Sequence, residues 1–380
     1  MIQILIAPNA FKNSLPADKV AEAIAAGLTS SKLHCTIVTL PIGDGGDGTM
    51  DLLRAYLELE VVSVKSSDAL GRSIESTYGY RSLTHTAFIE MADTAGIRLL
   101  KEGELNPMNT SSMGTGKVML EALNKGARHI VLGVGGSATV DGGCGIMAAL
   151  GAKFKNNKGE ILGLSPESLQ EVEEVDLSGL DERVKYCKIT VLSDVKNKLL
   201  GVNGAAFVFG PQKGATADQV ELLDDFLERL NCRWITDLGK DASKLLGGSA
   251  AGGVAAGLWA MADADLVSGI DYFLEAAAFE QKLNNIDLVI TGEGALDEQT
   301  LEGKGPYGVA VKAKERGMPV IGIAGKVPLE YNEQLAQYFD EIIPINHMAA
   351  SFSELKGSTY ENLVRTGKLI GDLLYIGKKL

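Results

Sequence analysis

The sequence predicts an α/β protein built on a doubly wound parallel sheet, and three observations predict it. Short β-branched apolar runs recur at Ile2 to Ala7, Ile130 to Val134 and Ile286 to Thr291, each suited to a strand buried on both faces. Each run leads into a loop of small or polar residues and then into apolar residues at helical spacing. The composition agrees, because 45 glycines and 46% hydrophobic residues describe a globular chain with many tight loops.

At 380 residues the chain is long for one domain, and two are expected. The formal net charge of −13 argues against nucleic acid or an anionic membrane as partner. It also requires any phosphate site to be made locally, from N–H groups, a few lysines and metal. Cys35, Cys144, Cys187 and Cys232 show no CxxC spacing and the four histidines no HxxxH, against a zinc site or a disulfide framework. Met1 to Pro8 lacks a basic leader and is too short for a signal peptide, and no run reaches transmembrane length. A cytoplasmic protein is expected.

The first strand, Ile2 to Ala7, closes at Pro8. Ser14 is the expected N-cap of a helix to about Leu28, with Pro16 in its first turn and Val20, Ile24 and Leu28 on one face. Lys12 lies just past the strand's C-terminal end, where open α/β sheets bind ligands. Thr36 to Leu40 is the second strand, and it runs into Pro41 to Thr49, where Asp44 and Asp47 sit among four glycines before a helix from Met50 to about Leu57. Two carboxylates so close are unfavourable unless a cation or donor set neutralises them. The alternating acids and final Glu of a calcium loop are absent, so a magnesium nucleotide is the expected neutraliser.

From about Val61 the texture changes. Val61 to Val64, Ile74 to Tyr80 and Thr86 to Met91 alternate at hairpin spacing and begin a second, inserted domain. The expected domains are residues 1–60 with 285–380, and residues 61–284. Asn109 to Gly116 is a hydroxyl- and glycine-rich loop ahead of a helix, and serves either as an N-cap cluster or as a ligand loop. The strand at Ile130 then opens into Gly135-Gly136-Ser137-Ala138-Thr139-Val140-Asp141-Gly142-Gly143, ahead of Ile146, Met147 and Leu150 at helical spacing. Strand, glycine loop and helix point backbone N–H groups at an anion. Ser137, Thr139 and Asp141 suit phosphate oxygens and a hydrated magnesium ion. The plain alternative is a tight turn that needs glycines.

Ile189 to Leu192 is a strand ending in Ser193-Asp194, a carboxylate at a strand's C-terminal end. Phe207 to Phe209 is expected as a strand leaving into a turn that carries Lys213, before an amphipathic helix from Ala217 to Leu230. Gly247 to Gly253 opens a small-residue helix that suits close helix packing as well as it suits a ligand. After Ile286 to Thr291 comes a loop with Glu293, Asp297 and Thr300, and Lys304 stands near the start of a helix from Tyr307 to Arg316. Val320 to Ala324 and Glu341 to Ile345 complete five strands interleaved with helices, a flavodoxin-like pattern. Right-handed crossovers would place the strand-to-helix loops at one edge of that sheet.

Loops carrying glycine, hydroxyls and carboxylates, with lysines nearby, are the parts of a phosphoryl-transfer site, where a protein mostly positions reactants and neutralises charge. No GxxxxGK[ST] is present, and no Ser/His/Asp or Cys/His pairing is suggested. Ile6 to Leu15, Gly43 to Thr49, Gly133 to Gly143, Phe209 to Ala215 and Ile290 to Asp297 resemble, in order, the motif set of the type-1 glycerate kinases. The resemblance runs to about Ile345. It implies a flavodoxin-like domain from both chain ends, an inserted domain likened to restriction-enzyme folds, and phosphorylation of D-glycerate by ATP and Mg²⁺, usually to 2-phosphoglycerate. A homodimer is compatible with it.

Residue by residue, Lys12, Asp44, Gly135, Gly136, Ser137, Asp141, Asp194, Lys213, Glu293 and Asp297 match the family pattern. The chain departs from it at Asn9-Ala10, where the family commonly has Asp-Ser, at Asp47 (Glu), at Val140 (Asn) and at Ala295 (Arg or similar). The expected roles follow. Asp44, Asp47 and Glu293 hold the metal. Gly135, Gly136, Ser137, Thr139, Asp141 and Lys213 bind the nucleotide. Lys12 neutralises the transferred group, and Asp194 or Asp297 accepts the hydroxyl proton. Lys213, Lys304 or loop N–H groups are the donors available to the glycerate carboxylate. Two other readings are a kinase of a related small hydroxy acid, and a catalytically silent nucleotide- or metabolite-binding protein.

Overall fold

The computed structural model describes residues 1–12, 14–46, 48–328, 330, 332–346 and 357–380. The described strands are β1 (Ile2–Ile6), β2 (Cys35–Thr39), β3 (Glu60–Ser67), β4 (Ser73–Arg81), β5 (Thr86–Glu90), β6 (His129–Gly133), β7 (Lys153–Lys155), β8 (Glu174–Asp176), β9 (Lys188–Ser193), β10 (Asp265–Ser268), β11 (Leu288–Ala295), β12 (Val320–Lys326) and β13 (Glu341–Pro344). The chain forms two compact units, Met1–Asp44 with Ile270–Leu380, and Gly45–Gly269. Both crossings come earlier than the expected 60/61 and 284/285. The helix Thr49–Leu57 buries Met50 and Leu53 and packs on β4 and β5, which carries it into the second unit. Ile270 packs against Gly308, which carries its helix into the first.

The first unit holds a five-stranded sheet in the order β2-β1-β11-β12-β13, parallel throughout. Its central strands are the β-branched runs that periodicity picks out, with Ile4 opposite Leu288 and Ile6 opposite Ile290. Ile4, Ile6, Ile24, Leu28, Ile290, Ile323, Leu363 and Ile370 share one core. The helices Ala17–Thr29 and Thr359–Gly377 pack closely over it, and a Cβ on Gly27 would meet the Val364 carbonyl at 2.2 Å. Ser14 does not cap the first helix. Pro16, extended at φ −68 and ψ 156, is the boundary residue, and the Ser14 hydroxyl lies 2.6 Å from that of Thr359.

The second unit holds a six-stranded sheet in the order β3-β4-β5-β6-β9-β10, and β7 pairs with β8 separately. β3, β4 and β5 are antiparallel, as the hairpin spacing predicts, while β5, β6, β9 and β10 run parallel. The expected strand at Phe207 to Phe209 is instead the end of a short helix, Ala205–Phe209. There Ala205 and Ala206 face the core while Val208 is 42% exposed, so burial rather than β propensity decides the conformation. Among the described residues no helix is long and apolar enough to cross a membrane.

Candidate active site

In the first unit the loop after β1 continues the ladder, since Asn9 donates its N–H to the Gly292 carbonyl at 2.8 Å. Its side-chain amide donates to Asp44 Oδ2 at 2.7 Å, and both residues are buried. Lys12 follows on an exposed turn closed by paired backbone bonds between Phe11 and Leu15. Glu293, expected in a loop, lies within β11 opposite Ala324 and is buried. The loop beyond it folds back, so that the fully buried Thr300 hydroxyl donates to Glu293 Oε1 at 3.3 Å and accepts the Asp297 N–H at 3.1 Å.

Burial pushes the Glu293 carboxyl up to about 7, and the neighbouring Asp44 charge pushes the same way while Lys304 and Lys12 oppose it. Thus Lys12, Asp44 and Glu293, with Lys304, form one electrostatic group, and Asp297 joins it through Thr300. Asp47 lies outside the described residues.

In the second unit the loop after β6 is strapped down by backbone bonds. Gly135 donates to Gly45, Ile97 donates to Gly136, and Ala138 donates to Ala95. The Lys213 ammonium, 2% exposed, donates to the Ser137 hydroxyl at 3.0 Å and to the Thr139 carbonyl at 2.7 Å. Among the described residues the buried Thr139 hydroxyl finds no hydrogen-bond partner. Burial pulls the Lys213 amine down to about 7, against a smaller opposite pull from Asp141. Asp194 stands half-buried just past β9.

Asp141, expected at the nucleotide, is fully buried and engaged by its own chain. Its carboxylate accepts from the Ser112 N–H and hydroxyl at 2.7 and 2.8 Å, and from the Gly143 and Gly145 N–H groups at 3.1 and 3.2 Å. The Ser112 hydroxyl also takes the Ile146 N–H, so the start of the short helix Cys144–Ala149 is satisfied internally and is not an open anion cradle. An Asn at 141 would set its NH₂ against these donors. D141N is expected to lose about 2–4 kcal/mol of stability in urea denaturation. Unchanged stability with lost nucleotide binding would return Asp141 to the ligand.

A model of the glycerate kinase family matches residues 4–375. The chain belongs to the glycerate kinase family. The glycerate kinase of Bacillus cereus is 39% identical to it over 97% of this chain and 97% of its own length. The glycerate 2-kinase of Escherichia coli is 38% identical over 100% and 99%. The crystal structure of a Salmonella typhimurium LT2 protein with the provisional name glycerate kinase 2 superposes with a TM-score of 0.83, at 38% identity and with complete coverage of both chains. The assignment as a phosphotransferase therefore rests on nearly the whole length of the chain.

In this glycerate kinase family member four polar residues stand beside the predicted ones without having been named as site residues: Asn9, Glu90, Ser112 and Thr300. Glu90 ends β5, is buried, and accepts from the Gly48 N–H at 2.7 Å and the Met50 N–H at 3.2 Å. It thereby serves the start of the helix Thr49–Leu57, which has no side-chain cap of its own. A carboxylate at a strand's C-terminal end, the signal that marks Asp194, marks Glu90 equally.

Proposed function

We propose that the chain transfers the γ-phosphoryl group of ATP, as its magnesium complex, to a hydroxyl of D-glycerate, giving 2-phosphoglycerate. The observation that carries this reading is full-length similarity to glycerate kinases in a chain that buries Asp44 and Glu293 together beside Lys12 and Lys304. The strand order of the first unit supports a flavodoxin-like description, and we read the inserted unit as the restriction-enzyme-like domain. The reaction draws on ATP, which suits a cytoplasmic enzyme.

The fit to magnesium follows from donor chemistry. Among the described residues no three His, Cys, Asp or Glu side chains group as a metal cage. Magnesium needs no such cage, since one or two carboxylates with nucleotide phosphates and water suffice. Asp44 and Glu293 would hold it, with Asp47 the expected third. When bound, the ion supplies neutralisation of charge on the β- and γ-phosphates.

The chain's own groups do the rest. Lys12 offsets charge on the transferred group, and Lys304 is the donor for the glycerate carboxylate. Within the second unit, Ser137 and Lys213 carry polar hydrogens of the kind that suit phosphate oxygens, while Asp141 holds their loop in shape. Asp194 or Asp297 takes the proton of the attacking hydroxyl. Mg-ATP and D-glycerate should yield ADP and a product whose ³¹P–¹H coupling places phosphate on C2. Coupling to the C3 protons would correct the product, and no ADP with any hydroxy acid would remove the reading. Of D194N and D297N, the variant lacking the base should lose roughly 10²–10⁴-fold in turnover with little change in ATP affinity. Wild-type turnover in both would remove both assignments.

A further inference from the structure

Asn9 is held from three sides. Its backbone N–H extends the β1–β11 ladder to Gly292, and its side chain is 5% exposed. The amide oxygen accepts the Ala10 N–H at 2.8 Å, which decides which end of the amide faces away. The NH₂ end is thereby turned to Asp44 and donates to Oδ2 at 2.7 Å. A flipped amide would set oxygen against oxygen at Asp44 and NH₂ against the Ala10 N–H. Gly305 packs against the amide, and a Cβ there would come within 3.0 Å of Asn9 Nδ2 and 3.4 Å of Cγ. A side chain at 305 would press on the amide, so the bare glycine is what permits this seating.

Asp44 is itself 2% exposed and lies near enough to Glu293 for its charge to act on it. A further carboxylate in place of Asn9 would add repulsion that only a cation could relieve. A neutral donor instead gives Asp44 a charge-assisted hydrogen bond, which fixes its rotamer. We propose that Asn9 is a positioning residue of the cation site: its amide aims the Asp44 carboxylate while adding no negative charge of its own. The inference rests on Asp44 being a metal ligand. Partners in this position commonly change metal affinity by about 10–100-fold when removed.

The test is Mn²⁺ binding to the full-length, nucleotide-free chain, followed by EPR of the free ion and by the metal-induced rise in Tm. D44N should bind Mn²⁺ weakly and show little rise. N9A should weaken binding about 10–100-fold, since the amide that aims the Asp44 carboxylate is then gone. N9D keeps the size of the side chain and tests the charge: its metal-free Tm should fall, and Mn²⁺ should raise Tm by more than in wild type. If D44N weakens binding while N9A binds as wild type and N9D shows the wild-type rise, Asn9 has no positioning role and the reading of Asp44 survives. If D44N binds as wild type, that reading fails and takes the inference with it.

Discussion

Lys213→Met should lower kcat/KM by roughly 10²–10³-fold and yet leave the protein at least as stable at pH 7. The activity loss is that expected for one positioned donor facing developing phosphate charge. The stability expectation comes from burial, since the amine makes two hydrogen bonds but no ion pair within the described residues, and its pKa falls to about 7. The sign is set by proton counting. Between pH 7 and the ordinary lysine value the unfolded chain binds more protons than the folded one, so stability rises with pH across that window. At and below pH 7 the folded protein carries the whole penalty, about 5 kcal/mol at most. Methionine removes it, less the loss from an orphaned Thr139 carbonyl. Urea denaturation of both proteins at pH 7 and pH 10 should show any advantage of K213M shrinking toward alkaline pH. A variant markedly less stable at pH 7 would make Lys213 a structural strut.

Glu293→Gln carries the second large effect, with the opposite pH sense. The carboxyl is raised to about 7 from the usual carboxylate range. Between those values the folded chain holds the proton that the unfolded chain has released, so stability falls as pH rises through the window and the penalty is complete above it. In the nucleotide- and metal-free protein at pH 8, E293Q should be the more stable by up to about 3 kcal/mol. Adding Mg-ATP should reverse the ranking, because the bound complex stabilises more strongly the chain that offers the carboxylate. Turnover should fall by roughly 10²-fold or more. Equal stabilisation of both proteins by Mg-ATP would take Glu293 out of the metal set.

The parallel strands were legible because strands buried on both faces carry continuous apolar runs, as Ile4 to Ile6 and Leu288 to Ile290 do. Phe207 to Phe209 misleads because three residues cannot display a period, and two buried alanines ahead of them outweigh β propensity. Ser14 has the chemistry of a cap and finds another hydroxyl, 345 residues away. The same limit explains the site. Asp44, Glu293 and Asp194 are visible as charged residues at or just past the ends of apolar strands. Asn9, Ser112 and Thr300 acquire their roles only through partners brought near by folding, and Asp141 shows the converse. Its carboxylate looks like a ligand in the sequence, yet Ser112, 29 residues earlier, claims it first.

The crossing of Ala17–Thr29 with Thr359–Gly377, backbone to backbone at Gly27, has a consequence during synthesis. β1 must wait for β11, with Ala7 and its hydrogen-bonded partner Thr291 284 residues apart, which at ribosomal speed is roughly 15–60 s. The segment Gly45–Gly269 is contiguous and emerges whole in the meantime, so it can close before its host sheet exists. The nascent N-terminus spends that interval with its apolar face uncovered, where a chaperone would find it.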